Sequence, residues 1–96
     1  MTYSDLQESL RVMRLGERAT IREIKARHRE LVKLYHPDTG STDNPEMIRQ
    51  VNLAYKNLLE YITEYRFSFA ENEFYEQNPE ARIFMQFADD ILWGKK

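Results

Sequence analysis

Two side chains that can exchange protons or form directed hydrogen bonds flank a proline in the run His36-Pro37-Asp38. Proline cannot continue a helix, and it disfavours helical backbone in the residue before it. The run therefore predicts that His36 ends a helix and that Asp38 lies in the bend beyond it. The two side chains could form an acid/base pair. No third polar group or pocket accompanies them, however, so the sequence does not predict an enzyme.

Metal binding is the other chemistry that these residue types allow, through His28, His36 and Asp38. His28 falls on the predicted buried side of a helix, whereas the other two lie beyond the end of that helix, so the three are not expected to converge. The chain has no cysteine, which excludes a thiolate zinc site. The sequence predicts no metal and no cofactor.

Two helices must hold the His-Pro-Asp run in place, and the sequence predicts them over residues 21–35 and 45–62. Core-facing side chains recur in both at spacings of 3, 4, 3 and 4, which is the repeat of a narrow stripe along one face of a helix. The two stripes are Ile21, Ile24, His28, Leu31 and Tyr35, then Ile48, Val51, Tyr55, Leu58 and Ile62. Because the polar segment 36–44 joins them, the stripes predict an antiparallel helical hairpin.

Local signals place the starts of both helices. Thr20 followed by Glu23 is a capping box, in which each side chain accepts a hydrogen bond from the backbone of the other residue. Asn44 is a cap, and Pro45 occupies the first helical position that proline favours.

A shorter helix is predicted over residues 4–15, with Ser4 as its N-cap and Gly16 as a left-handed cap at its end. Its apolar stripe has spacings of 4 and 3 and consists of Leu6, Leu10 and Met13. This stripe is expected to cover one side of the hairpin.

Four cations share one face of the helix predicted over residues 21–35, and we call this set the basic face. It consists of Arg22, Lys25, Arg29 and Lys33. Only Glu23 and Glu30 oppose the five basic residues between positions 20 and 35. Like charges at such spacings destabilise a helix by a few tenths of a kcal/mol per pair. The pattern therefore indicates that this face meets an acidic partner.

The combination of a basic helix ending in Tyr35-His36-Pro37-Asp38, a polar segment, and a second helix carrying Ala54-Tyr55 and Leu58 resembles the J-domain family, the DnaJ-like co-chaperones. The resemblance covers about residues 3–62. It implies an all-α fold in which residues 1–62 form the J-domain and the triplet lies at the tip of the hairpin.

The resemblance also implies a function. Members of the family bind the ATP form of a 70-kDa heat-shock chaperone of the DnaK type and stimulate its ATP hydrolysis, which promotes capture of a client protein. By position, His36, Pro37 and Asp38 would be the activating triplet, and Tyr35 would support the loop from beneath. The basic face would dock on the acidic surface of the chaperone. The chain would then activate a partner's ATPase without being an enzyme.

Residues 63–96 are predicted to be a C-terminal extension that packs on the J-domain and contains one or two short helices. Ser68 with Glu71 is a second possible capping box, and Asn78-Pro79 repeats the cap-plus-proline signal. The extension is acidic, since residues 60–90 carry eight acids against two arginines. Three roles stay open for it: covering the hairpin core with its aromatic side chains, masking the basic face, or binding a client.

A different function class is a helical module that binds nucleic acid or another acidic partner through the basic face. The net charge of −2 and the acidic extension make nucleic acid the less favoured partner. The N-terminus lacks the basic flank and apolar core of a secretory signal, and no apolar run approaches the roughly 20 residues of a membrane helix. These features predict a cytoplasmic protein that does not engage a membrane.

Overall fold

A computed structural model describes residues 1–35 and 44–93 of the chain, with side chains through residue 91. Five helices follow one another: α1 Tyr3–Val12, α2 Ile21–Tyr35, α3 Pro45–Glu64, α4 Glu71–Gln77 and α5 Pro79–Trp93. No strand occurs in these two ranges, so the all-α prediction is confirmed. The chain divides into two compact units, Met1–Tyr65 and Arg66–Lys96, which are described separately below.

The predicted starts of α2 and α3 are confirmed by their caps. Thr20 Oγ1 accepts the backbone N–H of Glu23 at 3.1 Å, and the Glu23 carboxylate accepts the backbone N–H of Thr20 at 2.6 Å. At the start of α3, Asn44 Oδ1 accepts the backbone N–H of Met47 at 3.2 Å, and Pro45 is the first helical residue. These side chains bind backbone donors that the first turn of a helix leaves without partners.

Helices α2 and α3 pack against each other as an antiparallel pair, as predicted. At one end, the backbone N–H of Asn44 donates to the Tyr35 carbonyl at 2.9 Å. Nearer the middle of α2, the His28 ring stacks on the Tyr55 ring at 3.9 Å between centroids. Residue numbers therefore fall along α2 as they rise along α3, which is the arrangement of a hairpin.

The core of this first unit joins side chains from α2 and α3 and from the end of α1. Its buried members are Met13, Ile24, Leu31, Val51, Ala54 and Leu58. One predicted stripe residue departs from this arrangement, since Ile21 is 48% exposed. A helix turns about 100° per residue, so Ile21 lies about 60° from Ile24, on the side of Lys25 and away from the core.

Helix α1 begins earlier than the sequence predicted, and its cap is Thr2 and not Ser4. Thr2 Oγ1 accepts the backbone N–H of Asp5 at 3.1 Å, and the Asp5 carboxylate accepts the backbone N–H of Thr2 at 2.9 Å. This hydrogen bond from Thr2 holds the pKa of Asp5 below its ordinary value. A cap at Thr2 satisfies two backbone donors at once and places an acid in the first turn, where the helix dipole favours it.

The predicted end of α1 is also wrong, because the left-handed residue is Arg14 (φ 57°) and not Gly16. The N–H of Leu15 donates to the Leu10 carbonyl at 2.9 Å, and the N–H of Arg14 donates to the Arg11 carbonyl at 3.1 Å. This pair of bonds is a Schellman motif, which closes a helix through one left-handed residue. The motif ends α1 three residues before the predicted boundary.

The left-handed backbone of Arg14 supports a prediction about stability. An L residue other than glycine pays roughly 1–2 kcal/mol for this conformation, because its Cβ approaches the following carbonyl oxygen. Arg14→Gly and Arg14→Ala both delete the guanidinium, but only the alanine keeps the Cβ. We expect the glycine variant to be more stable than the alanine variant by about 1 kcal/mol in urea unfolding. Equal stabilities would show that residue 14 is not left-handed.

The second unit contains α4, a short helix of 7 residues, and α5, a helix of 15 residues, which pack on each other. The predicted capping box of Ser68 with Glu71 is wrong, because the cap of α4 is Ala70 and the Ser68 hydroxyl accepts the N–H of Ala70 at 3.3 Å. Asn78 Nδ2 donates to the Phe74 carbonyl at 2.9 Å, which closes α4 directly before Pro79 opens α5. The packing of this extension on the J-domain stays a prediction.

Candidate functional site

The activating triplet predicted from the sequence, His36-Pro37-Asp38, lies outside the described residues, but the structure describes the residues on either side of it. Tyr35 ends α2 and Asn44 caps α3, and a hydrogen bond of 2.9 Å joins the Asn44 N–H to the Tyr35 carbonyl. We call this bond the clasp. It fixes the two ends of segment 36–43 next to each other at the end of the hairpin.

Tyr35 makes a second contact, at its side chain. Its hydroxyl accepts a hydrogen bond from the Arg14 guanidinium at 2.8 Å, and its half-buried ring packs against the core. Tyr35 is therefore held from two directions, by the clasp at its carbonyl and by Arg14 at its hydroxyl. This arrangement is what the predicted role of supporting the loop would require.

Arg27 attaches the chain at the end of α1 to α2. Its guanidinium donates to the carbonyls of Met13 and Arg14, and it forms an ion pair with Glu30 at 3.1 Å. Helix ends leave carbonyls without partners, and a cation bound there also interacts favourably with the helix dipole. Arg27 thus stabilises the junction that carries Arg14, and it does not belong to the basic face.

All four residues of the basic face, Arg22, Lys25, Arg29 and Lys33, are exposed on α2. The two acids of this helix make their contacts elsewhere, since Glu23 accepts the Thr20 N–H and Glu30 pairs with Arg27. Elsewhere in the first unit, Arg11 pairs with Glu8, and Arg49 pairs with Glu46. Within the described residues, no ion pair reaches the basic face. Over the described part of the first unit, the four cations therefore face solvent without an ion-pair partner.

His28 lies at the interface between α2 and α3, where it is half-buried. Its ring is nearly parallel to that of Tyr55, at 7°, and its Nε2–H donates to Asn52 Oδ1 at 2.9 Å. The side chain therefore has a packing partner and a hydrogen-bond partner inside the hairpin. Over the part of the chain that the structure describes, no group of three or more His, Asp or Glu side chains is placed to hold a metal ion.

Several contacts that position the site could not be read from the sequence. The sequence pattern gave no signal for Arg14, because arginine is not a residue expected in a left-handed cap. Ser9 is 3% exposed, and its hydroxyl accepts a hydrogen bond from Asn57 at 3.3 Å, which ties α1 to α3. Periodicity marks which face of a helix is buried, but it does not show which polar residues meet across two helices.

None of the helices in the described ranges is both long enough and apolar enough to cross a bilayer. A family model described as the DnaJ domain matches residues 9–62, which is more than half of the chain. The matched region contains the basic face, the His-Pro-Asp triplet and the paired parts of α2 and α3. No curated protein and no solved structure matches the chain. The chain therefore belongs to the DnaJ domain family, whose members are generally co-chaperones of 70-kDa heat-shock chaperones and not enzymes.

Proposed function

We propose that this chain docks on the ATP form of a DnaK-type 70-kDa heat-shock chaperone and stimulates its ATP hydrolysis through His36, Pro37 and Asp38. Faster hydrolysis would promote capture of a client protein by the chaperone. The observation that carries the proposal is the DnaJ domain match over residues 9–62, which includes the triplet at the junction of α2 and α3. The proposed place of action is the cytoplasm.

Two features of the first unit support separate roles, one in docking on the chaperone and one in activating it. The exposed basic face would attract an acidic surface over several ångströms, with exposed charge pairs that are individually worth less than about 1 kcal/mol. The triplet, which directly follows Tyr35 in the sequence, would supply short, directional hydrogen bonds. Long-range attraction would bring the two proteins together, and the short-range bonds would select one state of the chaperone.

The proposed mechanism requires no chemistry from this chain. A protein that binds one conformation of its partner more tightly than the other shifts the partner's population toward that conformation. The triplet would form its hydrogen bonds only with the hydrolysis-competent arrangement, so binding would raise the population of that arrangement. The chaperone's own catalytic groups would then hydrolyse ATP.

Single-turnover ATP hydrolysis by a DnaK-type chaperone tests the role of the basic face. The variant Lys25→Glu with Arg29→Glu exchanges two cations for two acids. We expect the concentration of co-chaperone that gives half-maximal stimulation to rise roughly tenfold or more, because several exposed charge pairs become repulsive. The maximal rate at saturation should stay near that of the wild type, since the triplet is intact. Added salt should weaken the wild type more than the variant.

The matched control is Arg49→Glu with Lys56→Glu, which makes the same change in net charge on exposed positions of α3. We expect this control to shift the half-maximal concentration by no more than about twofold, because both positions lie on α3 and outside the basic face of α2. Equal effects of the two double variants would mean that net charge, and not the basic face, governs docking.

The exposed basic face also keeps nucleic acid as the second candidate partner. Fluorescence anisotropy with random-sequence DNA across a salt series distinguishes the two. Binding through phosphate contacts falls steeply with salt, and the chain has a net charge of −2, so we expect only weak binding at physiological salt. Tight DNA binding that is lost in Lys25→Glu with Arg29→Glu would contradict the chaperone as the main partner of this face.

A further inference from the structure

Arg14 combines a disfavoured backbone conformation with a specific side-chain contact. Its φ of 57° lies in the left-handed region, which residues other than glycine rarely adopt. The Schellman motif that closes α1 needs only this backbone conformation, and glycine would provide it without strain. A residue that is strained and nevertheless makes a defined contact is a candidate for a functional role. The contact of the Arg14 side chain therefore has to be considered on its own.

The backbone around Arg14 is fixed by its neighbours. Met13, directly before it, is fully buried in the core. The Arg27 guanidinium binds the carbonyls of Met13 and Arg14, and the N–H of Arg14 donates to the Arg11 carbonyl at 3.1 Å. The Arg14 side chain therefore starts from a defined point beside α2.

From this point the Arg14 guanidinium donates to the Tyr35 hydroxyl at 2.8 Å, across 21 residues of the chain. Tyr35 is the last residue of α2, and helix ends fray because their terminal carbonyls have no partner within the helix. The clasp gives the Tyr35 carbonyl a partner, and Arg14 binds the side chain of the same residue. Without Arg14, only the clasp and the packing of its ring would hold Tyr35.

We propose that Arg14 is a positioning residue for the activating triplet and acts through the Tyr35 hydroxyl. A peptide bond joins Tyr35 to His36, so the direction in which the chain leaves α2 sets where the triplet begins. By restricting the Tyr35 side chain, Arg14 raises the fraction of molecules in which this direction suits activation. The inference rests on the proposed stimulation of a DnaK-type chaperone through His36, Pro37 and Asp38.

Single-turnover ATP hydrolysis at saturating concentrations of the full chain tests this role. Arg14→Ala removes the donor, and Tyr35→Phe removes the acceptor while it keeps the ring and every charge. Each variant should lower the maximal stimulated rate about threefold, a change that the loss of one net hydrogen bond can supply. The double variant should also lose only about threefold, since both substitutions break the same bond. The half-maximal concentration should change by no more than about twofold, because neither residue belongs to the basic face.

Two further variants separate positioning from stability and from charge. Arg14→Gly also removes the guanidinium, but it relieves the left-handed strain, so it should be more stable than Arg14→Ala and yet lose the same part of the maximal rate. A full rate for Arg14→Gly would mean that the loss in Arg14→Ala follows stability, and it would contradict the inference. Arg18→Ala removes another exposed arginine from the connection between α1 and α2, and it should keep the wild-type maximal rate.

Hydrogen exchange at the Asn44 amide gives a readout that needs no chaperone. This amide donates to the Tyr35 carbonyl in the clasp, so its exchange rate reports how often the end of α2 opens. Arg14→Ala and Tyr35→Phe should each raise the exchange rate about threefold, because each removes the same hydrogen bond from Tyr35. Arg18→Ala should leave the exchange rate unchanged.

Three other results would overturn the inference. The first is a wild-type maximal rate for Arg14→Ala or Tyr35→Phe while His36→Gln is inactive, which would leave the proposed function standing. The second is a loss of about ninefold in the double variant, since two residues that act separately have multiplicative effects. The third is unchanged exchange at the Asn44 amide in both single variants. Failure of the wild type to stimulate at all would instead reject the proposed function, and this inference with it.

Discussion

His36→Gln is expected to reduce stimulation of a DnaK-type chaperone to the basal rate of ATP hydrolysis while leaving the fold intact. Glutamine keeps a polar side chain but not the imidazole ring, so the directional hydrogen bonds proposed for the triplet cannot form with the same geometry. Hydrogen bonds that involve charged groups contribute about 1.5–3 kcal/mol each. Loss of even one would reduce the stimulated rate about tenfold or more. Single-turnover hydrolysis at saturating co-chaperone measures this change directly.

The response to concentration separates this variant from the reversal of the basic face. A docking defect is overcome by more co-chaperone, whereas a defect in activation is not. Thr42→Ala is the matched control, because it lies in segment 36–43 but outside the triplet, and it should stimulate as the wild type does. If His36→Gln stimulated normally, the triplet would not be the activating group. Recovery of His36→Gln at high concentration would instead assign His36 to docking.

Met13→Ala is expected to destabilise the first unit by about 2–5 kcal/mol. Met13 is fully buried at the end of α1, where its side chain meets core residues of α2 and α3. The substitution leaves a cavity, and a small domain has only about 5–15 kcal/mol of stability to lose. The midpoint of urea unfolding should fall by about 2–5 M, given a typical slope near 1 kcal/mol per M.

The chain offers a control of the same residue type. Met85 is 53% exposed on α5, so Met85→Ala should change the free energy of unfolding by no more than about 0.5 kcal/mol. Similar losses for the two variants would contradict the burial of Met13 in the core. Far-UV circular dichroism should show that Met13→Ala remains helical in the absence of urea, since the partly buried residues around the cavity still pack.

The sequence predicted the hairpin well because its signals are local and agree with one another. The capping box of Thr20 with Glu23 and the cap-plus-proline signal of Asn44-Pro45 fix the starts of α2 and α3 without any tertiary information. The two stripes, with their matching spacings, then require the helices to pair. Ile21 is the exception, because a residue in the first turn can follow the stripe in sequence and still turn away from the core.

The ends of α1 were harder to predict because more than one residue at each end could serve as the cap. Ser4 and Thr2 are both acceptable caps, and the choice depends on whether the Asp5 carboxylate returns to the Thr2 backbone. At the other end, the Schellman motif uses Arg14 although Gly16 is two residues away. Contacts of Arg27 and Tyr35 explain why Arg14, and not Gly16, adopts the left-handed conformation. Arg27 binds the carbonyls of Met13 and Arg14, and Tyr35 binds the Arg14 guanidinium.

Part of the candidate site could be predicted from residue type and spacing alone. The basic face follows from helical periodicity, and the structure places its four residues in solvent. The sequence predicted that Glu23 binds the Thr20 backbone, but it did not predict that Glu30 pairs with Arg27, because that contact depends on how Arg27 is placed at the junction with α1. The roles of the triplet and of Tyr35 stay predictions.

The clasp between Asn44 and Tyr35 joins the end of α2 to the start of α3 by a hydrogen bond that does not involve the side chains of segment 36–43. Once the two ends of a chain segment are fixed together, the closure entropy depends only on the logarithm of its length, so doubling the length costs about 0.6 kcal/mol. We therefore expect an insertion of a few residues between positions 39 and 43 to lower the free energy of unfolding by less than about 1 kcal/mol, with the pairing of α2 and α3 unchanged.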